Sequence, residues 1–166
     1  MKTLLSFASS LFSSVKLSGR SAPTISDARY LDVSGLSGYF APVQNKAVAF
    51  FVCGQAVQKN PMFGVFDMSE NFWCSFCVNG QTYEKLRAGA IAKLVLEPGQ
   101  YTISCSDDPL ARIDTTTAIL KSGSTTTFIA ESTQTVKLTG REVVQSVRAI
   151  DGPVPDNFKE RTPVSM

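Results

Sequence analysis

The sequence predicts an all-β fold, a sandwich or small barrel, from three observations. Apolar segments of strand length recur between residues 36 and 139, turn residues punctuate them, and no strong helical periodicity lies between them. The 166 residues suit one domain with terminal extensions, and 43% hydrophobic residues are enough for an ordinary core.

The chain divides by composition. Residues 1–18 form an apolar and serine-rich arm, and residues 19–28 a linker of small residues around Pro23. Residues 29–150 form the β body. Residues 151–166 carry Pro153, Pro155 and Pro163, which break helix and ladder alike and predict an extended or disordered tail.

Within the body, residues 47–53 are a nearly continuous apolar run closed by Gly54, the pattern of a strand buried on both faces. Residues 62–68 and 71–78 supply two more strands. The second ends at Asn79-Gly80, a pair that accepts positive φ at both positions of a tight hairpin. Residues 82–86 follow, then a turn at Ala88-Gly89 and a strand at 90–96. Pro98-Gly99 turns the chain into residues 101–105, where Tyr101, Ile103 and Cys105 share a face by alternation. Strands are expected at 115–121, 125–131 and 134–139, with Gly123 and Gly140 as punctuation. Residues 141–150 read as strand or short helix. The rings of Phe63, Phe66, Phe72, Trp73 and Phe76 read as core, with a contact patch as the competing reading because parts of 55–72 resemble a long loop.

The composition argues against most chemistry. A formal charge of +2, from 16 basic and 14 acidic residues spread along the chain, leaves no electrostatic footprint for nucleic acid. There is no histidine, which removes the usual general base, the commonest neutral metal ligand and every Ser-His or Cys-His pair. Trp73-Cys74-Ser75-Phe76-Cys77 has the Cys-x-x-Cys spacing of thiol-redox sites, where the first thiol opens a helix. Here a hairpin turn follows, and in a strand residues three apart lie about 10 Å apart on opposite faces, beyond the roughly 7 Å that a disulfide spans. Two strand cysteines acting as small apolar groups fit better. Cys53, Cys74, Cys77 and Cys105 lack a second close pair for zinc, which leaves only a site of four thiolates gathered by folding, and Cys53 with Cys105 is a pairing open to an oxidising compartment. Asp107-Asp108 reads as a solvated turn before it reads as a cation site. No pattern calls for a cofactor.

The arm carries the functional expectation. Leu4, Leu5, Phe7, Ala8, Leu11, Phe12 and Val15 fall in one stripe at about 100° per residue, with serines opposite, which predicts a short amphipathic helix. It is too short to span a bilayer. Docking on protein, lying on a membrane surface and serving as an export signal are the three readings, and the uncharged serine face favours protein contact.

The string Cys77-Val78-Asn79-Gly80-Gln81, followed by Leu86, Gly89 and residues 94–103 (Leu94-Val95-Leu96-Glu97-Pro98-Gly99-Gln100-Tyr101-Thr102-Ile103), resembles the core of PEGA-type modules. It is also similar to an uncharacterised domain family of small bacterial envelope lipoproteins, over residues 44–131. The resemblance implies an immunoglobulin-like or transthyretin-like β-sandwich used for scaffolding, in a bacterial setting, with no catalytic residues to carry over. Unlike the lipoproteins, this chain has no cysteine near its N-terminus to accept lipid.

The combined expectation is a non-enzymatic structural or interaction module, an accessory or subunit of a larger assembly. It docks through its helical arm onto other protein subunits, with a membrane surface as the second partner class, oligomerisation open, and cytoplasmic or envelope-associated placement both open. A small thiol-redox protein using Cys74 and Cys77, and a soluble ligand carrier, are the alternatives.

Overall fold

The apolar run at 47–53 lies in the middle of the larger of two sheets, in a computed structural model that describes residues 29–30, 40–83 and 85–154. In chain order the strands are β1 Arg29–Tyr30, β2 Ala47–Asn60, β3 Gly64–Asp67, β4 Trp73–Val78, β5 Gln81–Thr82, β6 Leu86–Arg87, β7 Ala90–Leu96, β8 Gly99–Ser106, β9 Arg112–Ile113, β10 Thr116–Leu120, β11 Thr125–Lys137 and β12 Gly140–Asp151. The larger sheet has the order β1-β7-β2-β11-β12-β9, with β3 paired to the far part of β2. The smaller has the order β10-β8-β4-β5, with β6 also on β4. A turn of 3-10 helix at Ser69–Asn71 is the helical element among the described residues. The described residues are therefore nearly all β, in two sheets. The helix expected at 1–18 lies outside the described residues.

Alternation along β2 explains why its run is apolar throughout. Ala47, Ala49, Phe51 and Cys53 point between the sheets, where they meet Cys74, Phe76 and Val78 of β4, Ile103 and Cys105 of β8, and Leu120 of β10. Val48, Phe50 and Val52 point the other way and are equally buried, with Ile91, Ile129 and Val154 and against Phe40, Val43 and Ile150. A strand wetted on one face would alternate apolar with polar residues. This one has two apolar cores to serve.

Gly54 does not close the strand, contrary to the sequence expectation. Ala130 pairs with Cys53 but Ser132 pairs with Ala56, so β2 carries one residue more than β11 at this point, a β-bulge. The extra residue resets the pleat. Cys53 and Ala56, three apart, both face the inter-sheet core, and β2 continues to Asn60.

Other expectations need similar adjustment. The two strands read at 125–131 and 134–139 are one, β11, because it pairs on both sides with the long strands β2 and β12. The ambiguous 141–150 segment is the strand β12. The strand read at 82–86 is interrupted, its ends β5 and β6 both lying on β4. The Asn79-Gly80 turn is as read, with φ of 48° and 83°. The segment read as tail begins inside β12, and Val154 is buried against the outer face of β2, because that face needs a cover.

Candidate protein-contact surface

Past the bulge, β2 runs on beyond the level where β7 pairs with it, and the chain folds back as β3. The turn between them is built by Asn60, whose Oδ1 accepts hydrogen bonds from the N–H groups of Met62 (2.9 Å) and Phe63 (3.2 Å). An asparagine side chain closing on the backbone two residues ahead tightens the loop. Met62 and Phe63 consequently project from its tip. The return end is fixed as firmly: Met68 N–H donates to Ala56 O at 2.8 Å, Ala56 N–H donates to Ser69 Oγ at 3.1 Å, and Ser69 N–H donates to Asp67 Oδ1 at 2.9 Å.

These bonds set the orientation of β3. Antiparallel pairs alternate between bonded and non-bonded, so with Met68 bonded to Ala56, Phe66 and Gly64 face β2 with their main-chain groups. Val65 turns its N–H and C=O outward. Among the described residues β3 pairs with β2 alone, which makes it an edge strand.

The edge is apolar. Of the eleven large hydrophobic side chains left exposed among the described residues, six lie at 62–73: Met62, Phe63, Val65, Phe66, Met68 and Trp73. Met62 is 80% exposed, Phe63 72% and Val65 67%, values that no core role explains. The aromatic group read in the sequence therefore splits. Phe72 and Phe76 are core, whereas Phe63, Phe66 and Trp73 are surface. Lys59 and Glu70 are exposed nearby and supply a polar rim. In the neighbouring hairpin, Leu138 is also fully exposed at the tip between β11 and β12. The sequence reading missed Met62, Val65, Met68 and Leu138. The signal for the first was Asn60-Pro61 followed by apolar residues, a turn whose tip is not polar.

The other sequence candidates fall elsewhere. Cys74 is buried between the sheets, while Cys77 is half-buried on the opposite face of β4, so the Cys-x-x-Cys pair is divided by the strand itself. Asp107 pairs with Lys85, and Asp108 pairs with Arg141 at 3.3 Å while accepting the Leu110 N–H at 2.9 Å. Those carboxylates are held apart by their own cations, and no group of three Cys, Asp or Glu among the described residues is arranged around a metal. Leu4, Leu5, Phe7, Ala8, Leu11, Phe12 and Val15 lie outside the described residues.

Three thiols, those of Cys53, Cys74 and Cys105, meet in the core. Burial pushes Cys105 up to about 12, with the neighbouring Cys53 adding to it. Burial first, and then the hydrogen bond with Cys53, raises Cys74 well above the ordinary thiol value. Both groups fold as neutral thiols, so for Cys105 the contribution to stability is complete below the ordinary value of 9.0 and is lost as pH rises towards 12, and Cys74 acts in the same direction. The Cys105 thiol should cost about 1.4 kcal/mol per pH unit within that window. Urea midpoints measured between pH 8 and 11 should fall, and the fall should be shallower in Cys105→Ala. Equal slopes in the two proteins would refute the assignment.

No protein-family model matches this chain, and no curated protein matches it significantly.

Proposed function

We propose that this chain is a non-enzymatic interaction module that docks on another protein by accepting an extended strand beside β3, with Phe63, Val65 and Phe66 as side-chain anchors. One observation carries the reading: the main-chain edge at Val65 and the densest group of exposed apolar side chains are the same segment. Strand addition uses both at once, main-chain bonds for affinity and alternate side chains for specificity. Aromatic residues and methionine are the types enriched at such contacts. Because the turn and the return are fixed by hydrogen bonds, little ordering cost is left for binding. The four-residue length of β3 limits indiscriminate pairing.

A lipid surface fits less well. Inserting this edge into hydrocarbon would strip water from unpaired main-chain groups at several kcal/mol each, whereas a partner strand satisfies them. The two-sheet packing, with β2 parallel to β11, supports an immunoglobulin-like or transthyretin-like sandwich as the scaffold. The apolar arm read at residues 1–18 would add a second, separate contact.

The test places a photo-crosslinking phenylalanine analogue at position 63 of the full chain in its own cells, identifies the adduct, and measures binding of that purified protein. Phe63→Ser and Val65→Lys should each weaken binding about 30-fold, or about 2 kcal/mol, while melting temperature stays within the small range usual for surface changes. Binding to protein-free vesicles that these substitutions abolish, or an adduct of twice the chain mass, would overturn the proposal in favour of a membrane or a second copy.

A further inference from the structure

We infer that Cys53 and Cys74 form a disulfide that staples the two sheets when the chain folds in the presence of a disulfide donor. Cys53 belongs to β2 and Cys74 to β4, on facing surfaces of the inter-sheet core, and both are wholly buried. Both belong to one cluster of packed side chains, and each is a free thiol. Cys53 directs its S–H at the carbonyl oxygen of Phe72, 3.9 Å away, so its sulfur reaches the chain two residues before Cys74.

The backbone explains why they meet. At the corner where the chain crosses from the smaller sheet to the larger, Ala88 N–H donates to Phe72 O and the next N–H, of Gly89, donates to Cys53 O, both at 2.8 Å. Consecutive peptides thus tie the residue before β4 to the middle of β2, and the sheets are pinned together next to both thiols.

The remaining thiols are placed otherwise. Cys77 lies on the other face of β4. Cys105, read in the sequence as a partner for Cys53, directs its S–H across the sandwich at Ser146 O, 3.5 Å away on β12. With Cys105 turned towards β12 and Cys53 turned towards the start of β4, Cys74 is the partner the geometry leaves.

The chemistry is thiol–disulfide exchange. One thiolate attacks a sulfur of the donor, for instance oxidised glutathione, forming a mixed disulfide and releasing one thiol. The second thiolate displaces the other half. The donor leaves as two thiols carrying the two electrons and two protons that the cysteines give up. Exchange needs a thiolate, which burial disfavours in the folded state, so the bond forms during folding and is slow to form or break afterwards.

The experiment refolds the full chain and its Cys77→Ser variant in a glutathione redox buffer and in reduced glutathione alone, alkylates free thiols, and maps tryptic peptides. Cleavage after Lys46, Lys59, Lys85, Lys93 and Arg112 separates Cys53, Cys74 and Cys105 onto different fragments. In the variant the fragments 47–59 and 60–85 should appear joined, only under oxidising conditions. The oxidised form should melt about 10 °C higher than the reduced form. Cys105→Ala should retain the link, and Cys74→Ala should lose it. Linkage of 47–59 to 94–112, or full alkylation of all three thiols in correctly folded protein refolded with the donor, would overturn the inference.

Discussion

Replacing Phe51 with alanine is expected to cost about 3–5 kcal/mol, a large share of the whole stability of a domain this size. Phe51 is almost wholly buried, and its ring joins three strands. Within the larger sheet it lies opposite Phe128 in the β2–β11 register and stacks on it, centroids 5.3 Å apart at 19°. Across the sandwich it meets Phe76 of β4 edge-on at 5.0 Å and 63°. Removing the ring deletes both aromatic contacts and leaves a cavity walled by two sheets whose backbones cannot collapse inward. Urea unfolding followed through Trp73, the single tryptophan, should show a lower midpoint with an unchanged slope. Phe51→Leu should recover much of the loss, and Phe63→Ala, on the surface, should be near neutral. A cost below about 1 kcal/mol for Phe51→Ala would mean that the ring does not join the sheets as described.

The contrast between these phenylalanines marks what could be read from residues alone. Periodicity found β2, because a run apolar at every position has few other uses, and Asn79-Gly80 and Gly89 marked their turns through backbone conformations that other residues resist. Periodicity could not separate Phe72 from Phe63. Both sit in an aromatic stretch without clean alternation, and what divides them is a hairpin turn built by Asn60, a long-range consequence of where β2 ends. Nor could spacing bring Cys53 to the start of β4, since that approach depends on a chain crossing at 88–89 that no local pattern encodes. The length of β11 was hidden for a similar reason. Its half-buried stretch from Glu131 to Val136 reads as a break in apolar pattern, and it is a strand because β2 and β12 flank it.

Gly54→Ala is expected to cost about 3 kcal/mol, an unusual amount for one methyl group. The added Cβ would lie 2.6 Å from the carbonyl oxygen of Ala130 and 2.8 Å from Ile129 Cγ2. A side chain could rotate away from the second contact. The first is backbone, fixed in the β2–β11 ladder, so relief requires the bulge to open or the ladder to shift. Either movement acts on function, since the bulge brings Ala56 to the inner face and sets the plane of the segment that ends in β3. The variant should therefore show faster amide hydrogen exchange along β3 and residues 131–136 of β11, with smaller changes along β8 and β10 of the other sheet. Partner binding should fall with it, through displacement of the edge and not through any contact of residue 54. Phe63→Ser provides the complementary case, weak binding in a chain of normal stability. If Gly54→Ala proved as stable as the wild type and bound as tightly, the bulge would have no part in holding the edge, and the contact surface would owe its shape to the hairpin turn alone.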